Sequence, residues 1–467
     1  MIILYIILLE GDKMFTYLKL KNFKSFGDIE FNFKRTSSET KKLVVIYGEN
    51  GIGKTNFVTA YVFLMDSLFS MYFREKAEKI MDNLSKDDKE SIKELNFLFD
   101  QIDLTKKIED IRMIGNDEDT EIEYGFEING IEGNYKIVLG DNDKIKSEKL
   151  YYQVEKNRGI LYEINQKDKD IEKKLNEKIF FGKEYKDELM SDIDKYWSKN
   201  TFLSIILKEL EEKNEEFIQN NIKTNLFDVM DLFMSLSVVY RNSPIKVTRK
   251  QISPKNTILQ KIDEGTINKN KVNILDKYRY VLKDFFTQAY SDVKDVYYET
   301  KTNNKNDIYY KLFFKKKING NLIDIDYKKE SSGTRKILNQ FNYIIGSLWG
   351  STVIIDEIDN GIHDLLMKAI VESIKDEITG QLIITTHNTL LMETLDKQDI
   401  YIIVSDYKGQ KQVNCIDDYD IKIQKNNNIR ELYLKGVFGG IPSVNMIDFT
   451  EIKEKINSKN QDKKGGI

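Results

Sequence analysis

Gly48-Glu49-Asn50-Gly51-Ile52-Gly53-Lys54-Thr55 fits the spacing G-x-x-x-x-G-K-[ST], and that spacing serves one chemistry, the cradling of a phosphate chain. Gly48, Gly51 and Gly53 let the backbone turn so that successive N–H groups face an anion. A helix opening directly behind them adds the partial positive charge of its N-terminus. Lys54 then reaches the outer phosphates, and the Thr55 hydroxyl ligates Mg²⁺. Glu49 and Asn50 complete the loop. The flanks agree: Leu43-Val44-Val45-Ile46-Tyr47 is an apolar run of strand length, and Asn56 to Leu64 has helical apolar spacing.

Such a loop needs a carboxylate at the end of a second buried strand. Val353-Ile354-Ile355-Asp356-Glu357 supplies it. Asp356 is expected to hold Mg²⁺ through water, opposite Thr55. Glu357 is expected to polarise the attacking water as general base. A third apolar run, Leu382-Ile383-Ile384-Thr385-Thr386, ends in His387, one of only two histidines in the chain. A histidine at that strand end is placed to contact a γ-phosphate. The other, His363, is open between a structural and a functional role. A second anion site is expected at Glu330-Ser331-Ser332-Gly333-Thr334-Arg335-Lys336-Ile337, where Ser331, Ser332 and Gly333 open a helical pattern.

The order of phosphate loop, Ser-Gly helix start, Asp-Glu strand and strand-end His resembles ABC-type ATPases of the SMC and RecF kind. Leu18-Lys19-Leu20-Lys21-Asn22-Phe23-Lys24-Ser25-Phe26 is similar to the opening of such heads. The ending Asn428-Ile429-Arg430-Glu431-Leu432-Tyr433-Leu434-Lys435-Gly436-Val437-Phe438-Gly439-Gly440-Ile441-Pro442 narrows the likeness, together with Glu330 to Arg335 and the wording around His363 and His387. It resembles the stand-alone prokaryotic ABC-type ATPases, called AAA or RloA-like, of abortive-infection and restriction loci. The resemblance implies an α/β fold, a P-loop NTPase with an ABC/SMC-type head (a mixed sheet flanked by helices), an antiparallel β lobe and a helical insertion. It implies ATP and Mg²⁺ as cofactors and ATP hydrolysis. It implies a homodimer or higher oligomer in which Ser331, Ser332 and Gly333 of one chain close on the ATP held by the other. It further implies an anti-phage role beside a separately encoded nuclease or Toprim-like effector. Nucleic acid stays open as a partner, no membrane is expected, and the location is cytoplasmic. The alternative is a RecF/SMC-like ATPase of DNA repair or recombination. Ser331-Ser332-Gly333 departs from the Leu-Ser-Gly-Gly of transporters, and for the glutamine that senses Mg²⁺ the candidate is Gln101.

The elements that must position these groups follow from pattern. The chain has 467 residues, 40% hydrophobic and 32% charged, with net charge −4, enough for two or three domains and without the global basic character of a nucleic-acid binder. Its single cysteine, Cys415, excludes an intrachain disulfide and fits a reducing compartment. Met1 to Leu9 is apolar but too short to span a bilayer, and the natural start is expected at Met14. Residues 14–165 are expected to form the N-terminal part of the head with the phosphate loop and the β lobe, its strands running from Glu121 to Ile164. Residues 166–300 read as a mainly helical insertion, including Asp168 to Asn221 and two buried helices at Thr201 to Leu210 and Asn225 to Tyr240. Pro244 to Lys271 reads as a solvated basic loop (Lys246, Arg249, Lys250, Lys255, Lys261). Residues 301–450 are expected to complete the head, with a hairpin across Asn319-Gly320 and strands near Ile400–Val404 and Gln412–Ile416. Asp417, Asp418 and Asp420 read as an acidic loop, and residues 451–467 as a flexible tail.

Overall fold

The computed structural model describes residues 12–82, 104–140, 142–213, 215–240, 243–244, 259, 261–304, 307–419, 428–442 and 447–461. Gln101, Lys246, Arg249, Lys250, Lys255, Asp420 and Met1 to Leu9 lie outside them. The strands, in chain order, are β1 (Lys13–Phe23), β2 (Phe26–Asn32), β3 (Leu43–Tyr47), β4 (Thr120–Ile128), β5 (Ile131–Leu139), β6 (Ile145–Val154), β7 (Asn157–Lys167) and β8 (Asp170–Leu175). Then come β9 (Ser237–Tyr240), β10 (Ser243–Pro244), β11 (Glu264–Asn268), β12 (Val293–Asn304), β13 (Asp307–Ile318), β14 (Asn321–Asp326), β15 (Thr352–Ile355), β16 (Gln381–Thr385), β17 (Ile400–Ser405) and β18 (Lys411–Cys415).

The central sheet has the order β10-β9-β15-β16-β3-β17-β18. Its five inner strands, β9 to β17 in that order, run parallel, and β10 and β18 close the edges antiparallel. Parallel strands are covered on both faces, which is why β3 and the centres of β15 and β16 are apolar and all three are buried along their whole length. Side chains alternate between the faces. Val44 and Ile46 point to a core shared with the helix Lys54–Asp82 and the antiparallel lobe. Leu43, Val45 and Tyr47 point to a second core, shared with Ile337, Leu338 and Phe341 of the helix Ser332–Leu348. The phosphate-loop helix and the Ser-Gly helix therefore cover opposite faces of one sheet.

The lobe is a seven-stranded antiparallel sheet, β2-β1-β4-β5-β6-β7-β8. Gln381, fully buried at the start of β16, ties it to the central sheet. Its side chain accepts from Phe15 N at 2.9 Å and donates to Phe15 O at 2.9 Å and Lys41 O at 3.0 Å. A third sheet, β11 to β14, packs through the helix Asn273–Ala289, whose Phe285 meets Phe341 edge-on at 5.1 Å.

Several expectations need correction. Ser237–Tyr240 ends the second of the two expected buried helices, yet it is strand β9, parallel to β15. Val-Val-Tyr is strand-favouring, but three residues carry no period. Within Asp168 to Asn221, Asp170–Leu175 is strand β8, paired with β7, before the helices Lys183–Tyr196 and Phe202–Glu212 begin. Its charged residues lie on an edge strand, where solvent takes them. Within the span read as a solvated loop, Glu264–Asn268 is β11. Residues 451–461 of the expected tail belong to the helix Phe449–Gln461, and 462–467 lie outside the described residues.

One buried group locks the lobe to its helices. Glu148, fully buried, accepts from Tyr135 Oη at 3.0 Å, Tyr162 Oη at 2.8 Å, Trp197 Nε1 at 2.8 Å and Phe202 N at 2.7 Å. Burial raises its pKa, while those donors hold it down. Glu148→Ala strands four buried donors and is expected to cost about 3 kcal/mol or more. Urea unfolding checks this, and a loss below about 1 kcal/mol would show the cluster to be dispensable.

Candidate functional site at the carboxyl edge of the central sheet

Because β3, β15 and β16 are parallel, their carboxyl ends share one edge, and the phosphate loop, the Asp356-Glu357 pair and His387 leave the sheet there. Gly48, Gly51 and Gly53 adopt φ of 153°, 78° and 124°. Only glycine fits at Gly53 on two grounds: the backbone there is one that L residues avoid, and a Cβ would stand 2.6 Å from the Phe26 ring. A Cβ at Gly48 would stand 2.8 Å from Ile52 Cγ2. Glu49 is half-buried, and Asn50 and Gly51 are exposed at the tip.

Lys54 is buried, and its ammonium folds back on the loop, donating to Gly48 O at 2.8 Å and Glu49 O at 3.1 Å. Burial lowers its pKa to about 8, against the opposing pull of Glu357, Asp356, Asp359 and Glu49. This is a cation that meets carbonyls and no carboxylate at ion-pair distance among the described residues, which suits an incoming polyanion. The Asp356 carboxylate accepts from Thr385 Oγ1 at 2.8 Å; burial raises its pKa, and the neighbouring Thr55 hydroxyl pulls it the other way. A buried carboxylate beside a hydroxyl, with a half-buried carboxylate next to it, is an oxygen donor set of the kind a hard divalent cation takes. The residues fit Mg²⁺.

Glu357 sits at φ 49°, a left-handed backbone that costs a non-glycine residue of order 1 kcal/mol. The conformation is held from β16: Thr385 Oγ1 accepts from Glu357 N at 2.8 Å, and Thr385 O accepts from Ile358 N at 3.1 Å. The carboxylate itself accepts from Asn360 Nδ2 at 3.0 Å. His387 follows β16 with an exposed ring, and its N–H donates to Asp359 Oδ2 at 3.4 Å. Partial desolvation and the Lys54 charge lower the pKa of His387. Both favour the neutral ring, against the pull of Asp359 and Glu357.

Among the described residues no hydrogen bond joins Ser331, Ser332 or Gly333 to the phosphate loop of the same chain. Ser331 caps the helix Ser332–Leu348, accepting from Thr334 N at 3.1 Å, and Ser331 and Ser332 are exposed. A Cβ on Gly333 would stand 2.7 Å from Gly361 O. Lys336 Nζ donates to Asn360 O at 2.9 Å and Asn360 Oδ1 at 3.0 Å, and Gln340 Nε2 to Ile358 O at 3.3 Å. The Ser-Gly helix is thus wired to the turn that follows Glu357. His363 caps the helix Asp364–Ile374, its Nδ1 accepting from Leu365 N at 3.3 Å, which is a structural task.

Three residues at the site escaped the sequence reading. Thr385 was read only as strand, and its hydroxyl proves to bridge Asp356 and Glu357. Asp359 has Oδ1 buried without a partner and Oδ2 on His387 N. Asn360 holds Glu357. The run Asp356-Glu357-Ile358-Asp359-Asn360 was a visible polar signal for the last two; nothing marked Thr385.

Residues 17–229 match a family model described as an AAA domain, and residues 235–393 match one described as "AAA domain, putative AbiEii toxin, Type IV TA system". No curated protein matches the sequence. Similar solved structures include an SMC head bound to the C-winged helix domain of ScpA, 14% identical over 86% of this chain and 97% of that one, with a TM-score of 0.42. The SMC head domain from Thermotoga maritima is 14% identical over 86% and 98%, TM-score 0.36. The recombination mediator RecF is 12% identical over 86% and 98%, TM-score 0.33.

The Lys54 ammonium gives a pH test. Its pKa near 8 in the free protein rises when a phosphate anion binds, so binding above that pH takes up a proton. ATP affinity is expected to be flat below about pH 7 and to weaken by up to about tenfold per pH unit above about pH 8. Calorimetric titration in buffers of different ionisation enthalpy measures both effects. Affinity unchanged up to about pH 9.5, with no proton uptake, would contradict this reading of Lys54.

Proposed function

We propose that this chain binds ATP with Mg²⁺, hydrolyses it at the carboxyl edge of its central sheet, and closes around the nucleotide as a homodimer. The single observation that carries the reading is the convergence of Lys54, Thr55, Asp356, Glu357 and His387 from three parallel strand ends on one edge. Lys54 and the loop N–H groups bind the phosphates. Thr55 and Asp356 would hold Mg²⁺, which would supply positive charge against that developing on the transferred phosphoryl group. Glu357, oriented by Asn360 and by the Thr385 hydroxyl, takes the proton of the attacking water. His387 offers a ring N–H to the γ-phosphate. The exposure of Ser331 and Ser332, and the absence of bonds from them to their own phosphate loop, support a role across a dimer interface. In that role the N-terminus of their helix faces the partner's nucleotide.

At the level of the cell, we propose the sensor and regulator of an abortive-infection system, acting with a separately encoded nuclease or Toprim-like effector in the cytoplasm. The description of the model matched by residues 235–393 supports this. Copurification with the adjacent gene product, with and without ATP, tests it. A nuclease partner retained with ATP is expected. ATP turnover stimulated by DNA, with no such partner, would instead favour the repair alternative.

Glu357→Gln is expected to keep ATP affinity, lose about 10²-fold or more in turnover, and accumulate as an ATP-bound dimer in size exclusion. Turnover within a few-fold of the parent would give the base role to another group.

The trans role has its own test. A bulky change at Gly333 would strike Gly361 within the same chain, so the exposed Ser332 is the better position. Ser332→Arg and Lys54→Ala are each expected to abolish turnover. Mixed, they form heterodimers with one intact composite site, and part of the activity is expected to return. A Ser332→Arg chain that turns over normally alone would remove the role in trans.

A further inference from the structure

Beside the phosphate loop, three polar side chains from distant parts of the chain meet. Ser25 lies in the turn between β1 and β2, Asn56 in the first turn of the phosphate-loop helix, and Lys411 opens β18. Lys411 Nζ donates to Ser25 Oγ at 2.6 Å, and Asn56 Nδ2 donates to the same oxygen at 2.7 Å. Lys411 also lies 5.7 Å from the centre of the Phe26 ring, the ring that fills the space beside Gly53. The cluster therefore flanks the loop where the helix begins.

We propose that Lys411 is a second phosphate-binding cation of the nucleotide site, held by Ser25 and directed at the phosphate nearest the nucleoside. The inference rests on the ATP-binding reading above. Lys411 is half-buried, and among the described residues no carboxylate stands within ion-pair distance of its ammonium, whereas half-buried Lys13, Lys34 and Lys316 are paired. Burial lowers its pKa, and the charge of Glu49 only partly opposes this. A desolvated cation without a counter-ion is unfavourable unless an anion arrives. With Lys54 assigned to the outer phosphates, the phosphate nearest the nucleoside is left for a cation beside Asn56, two residues further along the same helix. The Ser25 hydroxyl takes both the Asn56 and Lys411 donors, which fixes the ammonium beside that turn rather than leaving it in solvent.

The experiment is lysine acylation followed by mass spectrometry on the full chain, with direct ATP titration alongside. ATP and ADP are expected to slow acylation of Lys411 by about tenfold, and adenosine to leave it unchanged. Lys54→Ala is expected to lose that protection. Lys411→Gln is expected to weaken ATP and ADP binding by about tenfold, the scale of one charge-assisted hydrogen bond, while Lys411→Arg stays within about threefold. If ATP binds the parent chain but the acylation rate of Lys411 does not change, this inference fails and the nucleotide-site reading stands. If ATP does not bind the parent chain, the nucleotide-site reading itself fails. The acylation measurement needs no variant, so misfolding of Lys411→Gln leaves it decisive.

Discussion

The hydroxyl of Thr385 is the interaction on which the site depends. It accepts from Glu357 N and donates to Asp356 Oδ1, each at 2.8 Å, and the same residue's carbonyl receives Ile358 N. Glu357 occupies a backbone conformation that an L residue avoids. Without a fixed acceptor for its N–H, the chain would relax into a more common turn and carry the carboxylate elsewhere. Thr385 is fully buried between β3 and β15, so no water competes for its hydroxyl. The strand placed between the phosphate-loop strand and the Asp-Glu strand thus does more than space them.

The central sheet also separates two tasks. The phosphate-loop helix packs on one face and the Ser-Gly helix on the other. That division argues for a site completed by a second chain. It also gives the Ser-Gly helix an internal contact of consequence, since Lys336 and Gln340 hold Asn360 and Ile358. Asn360 in turn holds Glu357. A displacement of the Ser-Gly helix on meeting a partner would therefore be felt at the base of the same chain.

The chemistry-bearing motifs were legible because each is local: a glycine loop between a strand and a helix, a carboxylate pair after an apolar run, a histidine at a strand end. The β lobe was legible from alternation and turns, and its strands fall at Thr120–Ile128 through Asn157–Lys167 as the pattern of Glu121 to Ile164 implied. What was missed is long-range. Val238 and Val239 form a strand because β15 offers an edge, and nothing in a three-residue apolar run says so. The turn at Ser25 meets Lys411 across nearly the whole chain, and Gln381 bonds Phe15 over a similar distance. Single polar residues buried by tertiary contacts, such as Thr385, Gln381 and Glu148, have no period and no neighbour to betray them.

The central claim is that Ser332 of one chain meets the phosphate loop of another. The direct measurement is cross-linking between a chain carrying Asn50→Cys and a chain carrying Ser332→Cys, both with Glu357→Gln. Asn50 and Ser332 are exposed, and the one native cysteine, Cys415, is buried. The account predicts an ATP-dependent cross-linked dimer from the mixture, and none from either chain alone. A cross-link that instead forms within a monomer carrying both cysteines, or a mixture that never links with ATP, would contradict it.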